Sequence, residues 1–186
     1  MQREFTDIGA NLWQSWYDFR ANSWGNLISR SLNMSAKYFD GCAPARPADA
    51  AAFANPLAQI AEGLYDRYAA CMDKVDYVGA KDAVMELIHA ANHYIEDCEP
   101  WGLAKDEAKH DELAFVIYNL LEAIRIAAHL LAPFMPQTSA EALRRIACAD
   151  EAQCDDLRAA CAWGGLAGGA PVEKGDPLFP RLQADK

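Results

Sequence analysis

One stretch of the sequence concentrates polar side chains that could read another molecule through hydrogen bonds. When Ser23 to Asp40 is plotted as a helix at about 100° per residue, amides and cations fall on one face and mostly apolar residues on the other. Asn26 and Arg30 lie four residues apart, so their side chains are neighbours on the polar face. A surface helix usually exposes charges of both signs, yet this face has no carboxylate in a chain of net charge −10. The contrast makes this face a candidate binding surface, and its residues are Asn22, Asn26, Arg30, Asn33 and Lys37.

A second group of residues raises the possibility of a metal centre. Two Glu-x-x-His pairs have the spacing found in the di-iron sites of helix bundles. The orientation argues against such an enzyme, because Glu86 and His89 fall at about 200° and 140° from the core face of their predicted helix. The pairs are Glu86/His89 and Glu107/His110, and Glu62 and Glu122 would have to supply the remaining carboxylates.

The six cysteines offer a second and equally weak metal hypothesis. None of them forms a C-x-x-C pair, so we expect free thiols in a reducing compartment. The last three, together with His129, could be imagined as zinc ligands, but their spacing matches no usual zinc pattern. We therefore predict no metal site. The cysteines are Cys42, Cys71, Cys98, Cys148, Cys154 and Cys161.

Trp101 stands directly after Pro100 in the connection between two predicted helices. A large aromatic side chain there either folds onto the bundle or stays exposed as a platform on which a nucleic-acid base can stack. The sequence leaves both interpretations open. No nucleotide-binding glycine loop, nucleophile elbow or H-E-x-x-H motif occurs in the chain, so no catalytic residue is predicted.

Helices are expected to position all of these residues, since alanine is abundant and β-branched residues are few. Apolar periodicity predicts an unbroken core stripe from Leu113 to Leu131, and Thr138 or Ser139 could cap the helix that follows. The predicted fold is all-α, an antiparallel bundle of about five or six helices with an irregular Gly- and Pro-rich tail from about residue 163. The other predicted helices cover residues 23–40, about 55–74, about 78–97 and 155–163.

The length and charge of the chain limit what it can bind. At 186 residues it fits one domain with a real core. A net charge of −10 argues against a broad footprint on nucleic-acid phosphates, but allows a small site that reads a few unstacked bases. Neither an uninterrupted apolar run of about 18 residues nor a secretory signal occurs, so we expect a cytoplasmic protein without a membrane partner.

Four segments, in order and in register, resemble a known family. They resemble the anticodon-binding domain of methionyl-tRNA synthetase over roughly residues 22–182, with residues 1–21 as an atypical helical lead-in. The segments are WGNLISRSLNMSAKYFDG, NHYIEDCEPWGLAKDE, YNLLEAIRIAAHLLAPFMPQTSAEAL and WGGLAGGAPVEKGDPLFPRL.

This resemblance implies a function in translation. In that family a helical domain follows an ATP-dependent catalytic domain and reads the CAU anticodon of methionine tRNA. The asparagine and arginine of the family's G-N-L-x-S-R segment fall on Asn26 and Arg30, and the tryptophan of its E-P-W segment falls on Trp101. The resemblance therefore implies that Asn26 and Arg30 hydrogen-bond to unstacked anticodon bases while Trp101 stacks on one of them.

The chain also departs from the family. The His-Ile-Gly-His and Lys-Met-Ser-Lys-Ser signatures of the catalytic domain are absent. We therefore expect no ligase activity from this chain alone and no cofactor of its own, because ATP and methionine would belong to the catalytic domain. The chain could be an expressed fragment, a freestanding homologue or the product of a broken gene. The alternative function is a helical homologue without tRNA binding that acts as an interaction or structural protein.

Overall fold

The computed structural model describes residues 23–48 and 50–179 of the chain. Across these residues all regular structure is helical, and the only β pairing is an isolated bridge between Cys42 and Pro171. The all-α prediction is confirmed, while the predicted lead-in at residues 1–21 lies outside the described residues. The helices are α1 Gly25–Tyr38, α2 Pro56–Ala61, α3 Leu64–Met72, α4 Tyr77–Cys98, α5 Pro100–Leu103, α6 His110–Leu131, α7 Pro136–Arg145 and α8 Leu157–Ala160, with 3₁₀ turns at Ala50–Ala52, Glu107–Lys109 and Ala149–Gln153.

Helix α1 is amphipathic as its sequence predicts. Trp24, Leu27 and Ile28 are buried to within 1% of full burial, whereas Asn26 and Lys37 are exposed. The buried face anchors α1 because it packs against α6 and α4. The polar face is thereby left on the outside of the bundle.

The predicted helix over residues 55–74 is divided into α2 and α3. Asn55 caps α2 by accepting a hydrogen bond of 3.0 Å from the amide of Ala58, and Pro56 occupies the first turn. The break falls where Glu62 is extended and Gly63 takes a φ of +71°, a conformation that only glycine adopts without strain. The glycine explains why one predicted helix became two.

Helix α4 confirms its prediction to within one residue at each end. Asp76 caps its start through a hydrogen bond of 2.9 Å from the amide of Gly79. The helix ends at Cys98 because Glu99 takes a φ of +43° and Pro100 follows. Pro100 then opens the short helix α5, so the predicted connection contains one helical turn that carries Trp101.

Helix α6 is the centre of the bundle. Every residue from Leu113 to Leu131 is buried, so the predicted apolar stripe is confirmed but the helix has no solvent face over this length. The segment Glu107–Leu131 is long and apolar enough to cross a membrane by those two criteria alone. Its apolar window lies wholly inside the protein, as expected for the central helix of a bundle.

The predicted cap at Thr138 or Ser139, for the helix that follows the core stripe, was wrong. Helix α7 begins at Pro136, two residues before Thr138, because proline's fixed φ suits the first turn and needs no backbone hydrogen bond there. Ser139 is buried, and its hydroxyl has no hydrogen-bond partner among the described residues. The last helix, α8, is shorter than predicted and is capped by Asp156 through the amide of Ala159 at 3.0 Å.

Candidate nucleic-acid interface

The polar face of α1 forms one wall of an open groove, and α4 forms the other. The two helices run in the same direction, since Ser23 lies against His89 while Arg30 contacts Glu96 seven residues further along each helix. The groove has a volume of about 450 Å³, and every side chain that lines it is polar. The lining residues are Ser23, Asn26, Arg30, His89, Asn92, His93 and Glu96.

Arg30 is held in the groove by an ion pair with Glu96. The distance from its Nη2 to Glu96 Oε1 is 2.7 Å, and the two side chains are 30% and 57% exposed. An ion pair this exposed stabilises the fold by at most about 1 kcal/mol. The ion pair instead orients Arg30, because the carboxylate fixes one side of the guanidinium of a residue that lines the groove.

Asn92 joins the two walls and was missed by the sequence-based prediction. Its Nδ2 donates to the carbonyl of Ser23 at 3.1 Å and to the carbonyl of Ile88 at 3.0 Å. The bond to Ser23 holds the chain at the start of α1 against α4. Ser23 precedes Asn26 by three residues. The Oδ1 atom of Asn92 is buried and has no partner among the described residues. A lone asparagine in a helix gave no signal of this role, because the partner carbonyl lies 69 residues away in the sequence.

Trp101 lies beyond the carboxyl end of α4, on α5. Its neighbours Pro100 and Leu103 are buried, which fixes the short helix, while the side chain of Trp101 is 41% exposed. Trp101 does not line the groove. It follows Glu96 of the groove by five residues in the sequence, across the end of α4 at Cys98. The structure thus places Asn26 and Arg30 together on α1 and Trp101 separately on α5.

Two of the carboxylates considered for a metal centre are paired with arginines. Glu86 forms an ion pair of 2.7 Å with Arg67, and Glu122 is fully buried against Arg125 at 2.7 Å. In residues 23–48 and 50–179, no group of three or more His, Cys, Asp or Glu side chains could hold a metal ion. All six cysteines are free thiols. Burial raises the pKa of both Cys148 and Cys161 to about 12, so these thiols remain protonated at neutral pH.

Comparison with known protein families gives a match over most of the chain. Residues 44–186 match the family described as the anticodon binding domain of methionyl tRNA ligase. The methionine–tRNA ligase of Streptococcus pneumoniae is 40% identical over 166 residues, which is 89% of this chain and 24% of that protein. The enzyme of Bacillus subtilis is 38% identical over 172 residues, which is 91% of this chain and 25% of that protein. The chain therefore spans about a quarter of the length of these relatives.

Solved structures agree with the sequence comparison. The chain is similar to Mycobacterium tuberculosis methionyl-tRNA synthetase in its apo form, with a TM-score of 0.72 and 31% sequence identity over 86% of this chain and 32% of that chain. The same synthetase with methionyl-adenylate gives a TM-score of 0.71 over 84% of this chain and 30% of that chain. The family match begins at residue 44, so Trp101 falls inside it while Asn26 and Arg30 precede it.

Proposed function

This chain belongs to the family of anticodon-binding domains of methionyl-tRNA ligases, and on that basis we propose that it binds the anticodon loop of methionine tRNA and recognises CAU. The observation that carries the proposal is the groove between α1 and α4. It brings Asn26 and Arg30 to one exposed, polar surface on a rigid pair of helices. Single-stranded loops are recognised in this way, through hydrogen bonds to the edges of unstacked bases.

Each of three residues has a distinct role in this proposal. Asn26 and Arg30 hydrogen-bond to base edges, since an amide both donates and accepts while the guanidinium offers a rigid fork of donors. Trp101 stacks on one base, because its partly exposed indole presents a broad aromatic face beyond the end of α4. The base that stacks on Trp101 would separate from the stacked bases of the anticodon loop, and the neighbouring bases would reach the groove.

The acidity of the chain is compatible with this mode of binding. A surface that held RNA by its phosphates would need many cations, and this chain has 17 basic against 27 acidic residues. Recognition by stacking and by hydrogen bonds to base edges needs far fewer cations. We therefore propose a small, sequence-dependent contact in place of a wide electrostatic one.

Ligation itself would need a catalytic domain. The chain spans about a quarter of its relatives' length, and the catalytic signatures are absent from its sequence. We propose that ATP and methionine bind to a catalytic domain with which this domain acts, and that the chain alone does not charge tRNA. The corresponding location is the cytoplasm, where translation occurs.

Titration with anticodon stem-loops tests the proposal. Fluorescence anisotropy would compare a stem-loop carrying CAU with one in which the three anticodon bases are scrambled. We expect tighter binding to CAU. Asn26→Ala should reduce that preference, because it removes a base-edge contact, whereas Asn33→Ala should leave it unchanged, because Asn33 is on the same helix but does not line the groove.

Equal affinity for the two stem-loops would contradict the proposal. In that case the alternative, a helical homologue that acts as an interaction or structural protein without tRNA binding, becomes the better interpretation. Equal losses in Asn26→Ala and Asn33→Ala would instead show that the groove is not the site of base recognition.

A further inference from the structure

Two of the four histidines of the chain line the groove between α1 and α4. His89 and His93 are both on the α4 wall, opposite Asn26 and Arg30. Four residues at a rise of about 1.5 Å place them about 6 Å apart along the helix axis. The Nε2 atom of His89 is 3.4 Å from the hydroxyl of Ser23, and the side chain of His93 is 83% exposed. Both imidazoles therefore stand at the rim of the groove, where solvent or a ligand can reach them.

The charges around these histidines nearly cancel. Arg30 on α1 is paired with Glu96 on α4, at 2.7 Å. Asp97 follows on α4, with its Oδ1 at 3.9 Å from Nδ1 of His93. One turn before His89, Glu86 is neutralised by Arg67 of α3. With neutral imidazoles, Arg30, Glu96 and Asp97 together carry a net charge of −1, from one cation and two anions.

Protonation of both imidazoles changes the sign of this charge. Each protonated histidine adds one positive charge, so the same groups sum to +1. Histidine is the side chain that gains charge between about pH 8 and pH 5. A net charge of +1 beside the groove attracts phosphate, whereas a net charge of −1 repels it.

The position of the histidines indicates which part of an RNA they would meet. Bases that hydrogen-bond to Asn26 and Arg30 occupy the groove, so the sugar-phosphate backbone must pass along its rim. Phosphate contacts position an RNA and base contacts specify it. On the basis of the proposed function, we propose that His89 and His93 bind backbone phosphates of the anticodon loop when protonated, so that RNA affinity increases as the pH falls.

Binding of the CAU stem-loop to the full chain at constant ionic strength tests this proposal. From about pH 8 to pH 6, wild-type affinity should rise about three- to twentyfold, as expected for one exposed ion pair per histidine. The double variant His89→Gln/His93→Gln should stay near the affinity of the wild type at pH 8, because it cannot gain charge. The double variant His89→Lys/His93→Lys should stay high across the range, because its charge is permanent.

His110→Gln is the matched control. His110 is also exposed, but it lies at the start of α6 and does not line the groove. This variant should show the same pH dependence as the wild type. The salt dependence gives a second readout, since each phosphate contact to a single strand adds about 0.7 to the slope of log affinity against log salt.

Specific outcomes overturn the proposal. The proposal is wrong if wild-type binding prefers CAU but does not change with pH. It is also wrong if RNA affinity still rises with falling pH in His89→Gln/His93→Gln. Failure of the proposed function looks different, because then CAU and scrambled stem-loops bind equally at every pH. That result also removes the phosphate contacts proposed for the histidines, since they require RNA in the groove.

Discussion

The candidate site contains side chains in three different environments. Asn26 is exposed, Arg30 is held on one side by Glu96, and Trp101 is 41% exposed on a helical turn of its own. These differences predict different costs of substitution. Removing Arg30 would also release the carboxylate of Glu96 into the groove, so its effect on RNA binding combines a lost donor with an unpaired negative charge. In the proposed function, removing Trp101 takes away a stacking surface and leaves no unpaired charge behind.

Trp101→Ala is therefore the cleaner test of a single residue. We expect RNA binding to weaken by about 1–3 kcal/mol, the contribution of one stacked base, with little change in the free energy of unfolding. Trp24→Ala is the matched control, because Trp24 is 0% exposed in the core and its truncation should cost about 3–5 kcal/mol of stability. Urea denaturation and stem-loop titration measure both quantities. If Trp101→Ala destabilises the fold as much as Trp24→Ala does, Trp101 is a core residue and the stacking role is wrong.

At the scale of elements, a buried ionic cluster joins α6 to the tail. The carboxylate of Glu122 accepts hydrogen bonds from the backbone amides of Gly164, Gly165 and Leu166, at 2.5, 2.8 and 3.0 Å. Arg125 donates to the carbonyls of Ala160 and Ala162, at 2.5 and 2.6 Å. The buried charges on α6 thus satisfy polar backbone groups at the end of α8 and in the irregular segment that follows it.

The two charges of this cluster also stabilise each other. Burial alone would lower the pKa of Arg125, but its hydrogen bonds and charge interaction with Glu122, and the nearby Glu151, raise it overall. The tail comes so close that a Cβ atom on Gly165 would lie 2.7 Å from the guanidinium carbon of Arg125. Glycine is required there for space, because any side chain would displace the arginine.

Glu122→Gln should consequently destabilise the protein strongly. The change leaves Arg125 buried with one fewer counter-charge and weakens five hydrogen bonds, and breaking a buried ion pair typically costs about 3–5 kcal/mol. Glu86→Gln removes a carboxylate from an ion pair that is about half exposed, and should cost no more than about 1 kcal/mol. Urea denaturation of both variants measures the difference. Similar losses in the two variants would mean that the cluster does not hold the tail.

For the whole molecule, acidity sets how stability responds to pH. The chain has 27 acidic residues, and those that pair in the folded state resist protonation. Glu141 on α7 is the clearest case. Hydrogen bonds from Arg144 and then Arg145 lower its pKa from 4.5 to about 2. Arg145 also reaches the tail, where it donates to the carbonyl of Lys174 at 3.0 Å, so this pairing joins α7 to the end of the described chain.

The sign of the pH effect follows from the lowered pKa. The folded state keeps Glu141 deprotonated more strongly than the unfolded state does, so its stabilisation is complete above about pH 4.5 and is lost as the pH falls towards 2. We expect the difference in unfolding free energy between the wild type and Glu141→Gln to be constant above that range and to shrink below it. Chemical denaturation at several pH values checks this. A difference that does not change with pH would contradict the assigned ion pair.

The sequence by itself determined the helical class, the two faces of α1, the extent of α4 and the family, because each depends on local periodicity or on motifs in register. It also singled out Asn26, Arg30 and Trp101. Contacts between distant residues were decided only by the tertiary structure. Asn92 holds Ser23 across 69 residues, and Glu122 holds Gly165 across 43. Periodicity carries no information about such pairs, since a side chain's partner depends on how the helices pack. For the same reason, only the structure placed two histidines beside Arg30.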